Sequence, residues 1–70
     1  MAVTSQPSDW TALAALTERL YDLHRQLEEA ESDSKMAAIY ALEEAIGETE
    51  AERERLVRRL QHRLSEETAA

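Results

Sequence analysis

The sequence has few of the residues that stabilise or activate small proteins. Its 70 residues include no cysteine, one glycine and one proline. Without cysteine there is no disulfide, no thiol catalysis and no thiolate zinc site. One glycine and one proline are too few for the many turns of a β-sandwich. A single core of this size contributes only about 3–5 kcal/mol, so we expect a second chain to add to its stability.

Long apolar runs and targeting signals are also absent from the sequence. Residues 1–10 have neither the basic nor the apolar part of a secretory signal, and no run approaches the roughly 18 apolar residues of a membrane span. We therefore expect a cytoplasmic protein. Acidic residues outnumber basic ones by 15 to 8, which gives a net charge of −7. Such a charge argues against nucleic acid as a partner, because phosphate binding needs concentrated positive potential.

The sequence contains no pattern typical of catalysis or metal binding. It has no glycine-rich phosphate loop, no nucleophile elbow and no recognisable acid/base pair. His24 and Glu28 are four residues apart, as are His62 and Glu66, but the Glu-x-x-His pattern of metal-binding bundles does not occur. We therefore predict that the protein is not an enzyme and binds neither a metal nor another cofactor.

Apolar residues recur at alternating three- and four-residue intervals in two segments, which indicates two helices. The first row, here called the first seam, consists of Leu13, Leu16, Leu20, Leu23 and Leu27. The second seam consists of Ile39, Leu42, Ile46, Thr49, Arg53, Leu56 and Leu60. Ser8 or Asp9 offers an N-cap to the first helix, and the polar stretch 31–35 interrupts the pattern between the two helices.

These features predict an all-α fold, an antiparallel helical hairpin. We expect a helix over about 9–31, a turn over about 32–34 and a long helix over about 35–66. A flexible lead over residues 1–7 and a tail over 68–70 would flank a single domain over 8–67. The alternative is a three-helix bundle with a break at Gly47, because a capping box, Thr49 with Glu52, follows that glycine.

The second helix is long enough to predict association with another chain. If Leu27 pairs with Ile39, the part of the second helix from Leu60 onward extends beyond the start of the first helix. The overhang is about 10–15 Å at 1.5 Å per residue. The segment 36–42 is also apolar around its whole circumference, which is typical of a helix buried on several sides. We expect a homodimer that forms a four-helix bundle. Its interface, or that with another protein, would contain Met36, Ile39, Tyr40, Leu56, Val57, Leu60 and Leu64.

Arginines are concentrated in the second half of the long helix. A row of Arg55, Arg59 and Arg63, with Arg58 beside it, is suited to recognising an acidic protein surface. The alternative is an ordinary solvated helix end, in which Glu54 and other nearby carboxylates neutralise the arginines.

Arg53 is distinct because it occupies a seam position. Such a residue either fixes the register of the helices, with its guanidinium on the Trp10 ring, or extends from the end of the core into water.

The sequence therefore predicts a small non-catalytic module for protein–protein interaction, acting by helix-to-helix packing. It would be an adaptor, an assembly or docking element, or a small regulator. Its partners would be a second copy of itself and another protein. Two alternatives are a nucleic-acid-binding regulator that uses the arginine-rich helix, and a helical subunit that contributes to a ligand or metal site on assembly.

Overall fold

The computed structural model describes the backbone of residues 8–69 and the side chains of residues 8–67. Two helices, α1 (Asp9–Ser32) and α2 (Met36–Ala69), pack against each other along α1, and no strand occurs between residues 8 and 69. The predicted all-α hairpin is therefore confirmed. Helix α2 continues to Ala69, beyond the predicted end near residue 66. The predicted flexible lead over 1–7 lies outside the described residues.

Local hydrogen bonds determine where α1 begins and ends. The Ser8 side chain accepts a hydrogen bond from the backbone N–H of Thr11 at 3.1 Å, as an N-cap does. At the other end Ser34 adopts the left-handed conformation, with φ at 56°. Its N–H donates to the carbonyl of Glu31 at 3.1 Å, and the N–H of Lys35 donates to that of Ala30 at 2.9 Å. This pair of bonds is the Schellman motif, which ends the helix and reverses the chain.

Helix α2 is continuous, so the three-helix alternative is wrong. Gly47 lies inside the helix with a negative φ, and a Cβ added there would have no heavy atom within 4 Å. One glycine in a helix costs only about 1 kcal/mol relative to alanine, which the flanking helical residues can offset. Among the described residues, neither helix has an apolar stretch of the length needed to cross a membrane.

The two seams form the core of the hairpin. Every residue of the first seam is at least partly buried, and Thr49 is buried in the second, where its hydroxyl donates to the carbonyl of Ala45 at 2.8 Å. The buried apolar residues are Leu23, Ala30, Ile46, Leu56 and Leu60. None of the described side chains is less than 2% exposed. The core is thin because two helices side by side form a single layer, with a smallest extent of 13 Å.

The register of the two helices differs from the prediction by about one helical turn. Arg53 lies beside Thr17 rather than Leu13, and Arg63 lies beside Asp9. The predicted overhang of Leu60 is therefore wrong, since α1 covers this residue and leaves it 4% exposed. The reason is Ala30, a further residue of the first seam, which shares a groove with Ala38 and extends the pairing one step closer to the turn.

Candidate interaction surface

A one-layer hairpin has two broad faces, and the seven-residue pattern assigns side chains to them. Each helix can be viewed along its axis from its N-terminus. In an antiparallel pair, side chains that lie clockwise of the seam on either helix point to one face of the hairpin, and those that lie anticlockwise point to the other. Surface grooves agree with this assignment. Leu20, Arg53 and Val57 line a groove on one face. Ala12, Arg19 and Arg55 are among the residues that line a groove on the other.

One face, here called the aromatic face, carries the large exposed apolar side chains. At about 100° per residue, four of its members lie about 80° from the seam and the two tyrosines about 130°, all in the same sense. The members are Trp10, Tyr21, Met36, Tyr40, Val57 and Leu64. Exposure is 58% for Trp10, 76% for Tyr21, 55% for Met36, 66% for Tyr40 and 47% for Leu64. The large exposed apolar residues among those described therefore all lie on one face.

The apolar side chains of the aromatic face are unevenly distributed along the hairpin. The open end is the end where α1 begins and α2 finishes, and the turn end is the end that contains residues 33–35. At the open end the cluster consists of Trp10, Ala14, Val57 and Leu64. At the turn end Met36 and Tyr40 lie among three carboxylates that the same pattern places on this face, those of Glu28, Glu31 and Glu43. Between the two ends, Glu50, Glu54 and Arg53 line a groove next to Val57, and the open end beyond this groove is the more apolar part.

The opposite face, here called the charged face, contains a groove of about 950 Å³ between the helices. Three arginines and three acidic residues line it, together with alanine and leucine side chains. These charged residues are Arg19, Arg55, Arg59, Asp9, Glu18 and Glu52. Since charged side chains of both signs line this groove, water can solvate the charged face without a partner chain.

Most of the arginines predicted to recognise an acidic partner are paired within the chain. Arg63 lies 2.9 Å and Arg59 3.8 Å from carboxylate oxygens of Asp9, and Arg58 lies 2.7 Å from Glu54. The buried Asp9 Oδ2 is in ion-pair contact with Arg63, without hydrogen-bond alignment. Arg55 differs, because no carboxylate among residues 8–67 lies within ion-pair distance of it.

Arg53 donates a hydrogen bond from Nε to the hydroxyl of Thr17 at 3.3 Å. One of its two predicted roles places the guanidinium on the Trp10 ring. The one-turn change of register instead places Trp10 near the height of Leu60, about two turns away. Arg53 is exposed, so its stem leaves the seam and its charge reaches water, as the second reading of this residue proposed.

The predicted interface residues have different positions in the structure. Met36, Tyr40 and Leu64 are exposed, and Ile39 and Val57 are partly buried. Leu56 and Leu60 are buried between α1 and α2, so neither is available to another chain.

Trp10 and Tyr21 were not predicted as interface residues. Both lie beside the first seam on the aromatic face, as Met36 and Leu64 lie beside the second. A projection of both seams in an antiparallel pair would have found them.

Clusters of metal-ligating side chains are absent from the residues that the structure describes. No group of three or more His, Asp or Glu side chains within residues 8–67 could hold a metal ion. His62 lies 3.7 Å from Glu66 on an exposed part of α2. Comparison with protein-family models, curated proteins and solved structures finds no match to the chain.

Proposed function

We propose that the chain is a non-catalytic protein–protein interaction module that works through its aromatic face. The occupant of this face is a second copy of the chain, so that two hairpins form a four-helix bundle. The observation that carries the proposal is the location of Trp10, Tyr21, Met36, Tyr40 and Leu64, all exposed and all on one face. Exposed apolar patches of this kind are typical of interaction surfaces.

The size of the aromatic face suits a dimer. A two-helix face about 20 Å wide and 36–50 Å long covers on the order of 700–1,000 Å² per chain, close to the share of one partner in a standard protein–protein interface. Complete burial of a large apolar side chain contributes about 1.5–3 kcal/mol. Several such residues would compensate for the thin core of the single hairpin.

An acidic protein partner for the arginines is still a prediction, and the internal ion pairs restrict it. Arg58, Arg59 and Arg63 each have a carboxylate partner within the chain. The acidic partner would therefore bind Arg55 and Arg19 in the groove of the charged face. The same pairing weakens the nucleic-acid alternative, because paired arginines contribute little positive potential.

A matched pair of substitutions tests the aromatic face. Trp10→Glu introduces a carboxylate at an exposed position in the first turn of α1, where it suits the helix dipole. Ala15→Glu introduces the same charge at an exposed position on the charged face. We expect Trp10→Glu to weaken self-association by roughly 30-fold or more, because two buried indoles are lost per dimer. Ala15→Glu should change it by no more than about threefold.

The measurement is sedimentation equilibrium of both variants, with helicity followed by circular dichroism at the same concentrations. Equal loss of association in the two variants would point to general charge repulsion and would contradict the assignment of the aromatic face. Leu60 is unsuitable for this test, because it is 4% exposed and its substitution would report on folding.

A further inference from the structure

We infer that the two copies associate with both hairpins pointing the same way, open end beside open end and turn beside turn. The two-fold axis then runs parallel to the helices, and α1 of each copy lies over α2 of the other. This arrangement is called aligned here, and the opposite one reversed. The inference rests on the proposed function, since it specifies how the second copy occupies the aromatic face.

The first argument is the cluster at the open end. The contact of Asp9 with Arg63 places the start of α1 beside this part of α2. Trp10 is therefore at a height between Val57 and Leu64, within about a turn of each. In the aligned arrangement Trp10 of one copy packs on these two residues of the other, and the symmetry repeats the contact. The open-end clusters of the two copies are then buried against each other, which maximises the apolar area removed from water.

The second argument concerns the carboxylates near the turn. The reversed arrangement would place the turn end of one copy on the open end of the other, and so bring Glu31 onto Trp10 and Glu43 onto Val57. Glu31 would have no basic partner in the open-end cluster, whereas Glu43 would lie near Arg53, which lines the groove beside Val57. In the aligned arrangement Glu28 and Glu31 of one copy approach Glu43 of the other at the exposed turn end, where water and salt screen the three carboxylates. Burying an unpaired carboxylate costs more than repulsion between exposed like charges, so the aligned arrangement is favoured.

The third argument is Gly47, which nothing within the hairpin requires. It has a negative φ, and a Cβ there would meet open space. In the aligned arrangement Tyr21 of the second copy lies at the height of Gly47 and on the same outer edge of the aromatic face. The missing side chain then leaves room for the tyrosine ring, which is 76% exposed in the single hairpin. In the reversed arrangement Tyr21 of one copy would instead face Tyr21 of the other.

Distances between spin labels distinguish the two arrangements. The chain has no cysteine, so Ser32→Cys and Glu67→Cys each give one nitroxide site, near the turn end and the open end respectively. Both positions are exposed. For the aligned dimer we expect an interspin distance of about 20–30 Å at each site. The reversed dimer would give about 36 Å or more at Ser32→Cys and about 50 Å or more at Glu67→Cys, from the rise per residue.

The outcomes separate the orientation from the proposed function. Short distances at both sites, lost when Trp10→Glu is added to the labelled chain, support the aligned dimer. Long distances in a chain that sediments as a dimer overturn the orientation and leave the proposed function in place. A short distance at one site and a long one at the other also overturns it, because only the ends with the short distance would then be in contact. A monomer without interspin coupling overturns both.

Discussion

At the scale of single residues, the turn contains a conformation that its sequence does not favour. Ser34 has a positive φ of 56°, which usually costs a residue with a Cβ about 1–2 kcal/mol. Glycine is the usual residue at this position of a Schellman motif. The only glycine of the chain is instead in α2, at position 47. The hydrogen bonds of Ser34 and Lys35 to the last turn of α1 maintain the conformation.

Ser34→Gly should stabilise the hairpin. Glycine adopts the left-handed conformation without steric cost but loses more backbone entropy on folding, so we expect a net gain of about 0.5–1 kcal/mol. Chemical unfolding followed by circular dichroism measures it. Ser32→Gly, two residues earlier at the last residue of α1, is the control and should lose up to about 0.5 kcal/mol, because serine is a better helix former than glycine. A loss of stability in Ser34→Gly would show that the serine side chain contributes more than its backbone conformation costs.

The ion pair between Asp9 and Arg63 could have been predicted from the spacing of the seam residues. Asp9 is seven residues before Leu16 and Arg63 is seven after Leu56, so both continue their seams at the open end. Their ion pair at 2.9 Å was therefore predictable once the seams were extended beyond their apolar members. The predicted seams begin at Leu13 and end at Leu60, so Arg63 was assigned to the recognition of an acidic partner, with a solvated helix end as the alternative. The conformation of Ser34 was not predictable, because serine rarely adopts a positive φ.

At the scale of helices, periodicity predicted the elements well and their register poorly. Each helix boundary depends on local features such as the cap at Ser8 and the polar turn. The register depends on which residues of two separate helices meet, and omission of Ala30 from the first seam shifted it by about one turn. That shift changed Leu60 from an expected interface residue to the least exposed apolar residue of the core.

Gly47→Ala should stabilise α2 in the dissociated hairpin. Alanine is about 0.5–1 kcal/mol better than glycine inside a helix, and the added methyl group meets no atom within 4 Å. The helicity that remains at low protein concentration, measured by circular dichroism, reports this gain. Ala51→Gly, one turn further along an exposed part of α2, is the control and should lose a similar amount. A decrease in stability for Gly47→Ala at low concentration would mean that Gly47 has contacts within one chain.

At the scale of the whole molecule, the distribution of side chains over the two faces follows from the fold and not from either helix alone. The sequence predicts each apolar residue, and the antiparallel pairing determines which of them share a face. Trp10 and Leu64 belong to opposite ends of the chain, and the hairpin places both at its open end. The interaction surface could therefore be inferred only after the pairing of α1 with α2 was known.

The central claim is that the single hairpin is half of a four-helix bundle. The most direct test is sedimentation equilibrium of the purified chain over a dilution series, with circular dichroism on the same samples. We expect a mass of twice the 8.0 kDa of one chain, with loss of mass and helicity together on dilution. A species of 8.0 kDa that keeps full helicity at every concentration would contradict the claim.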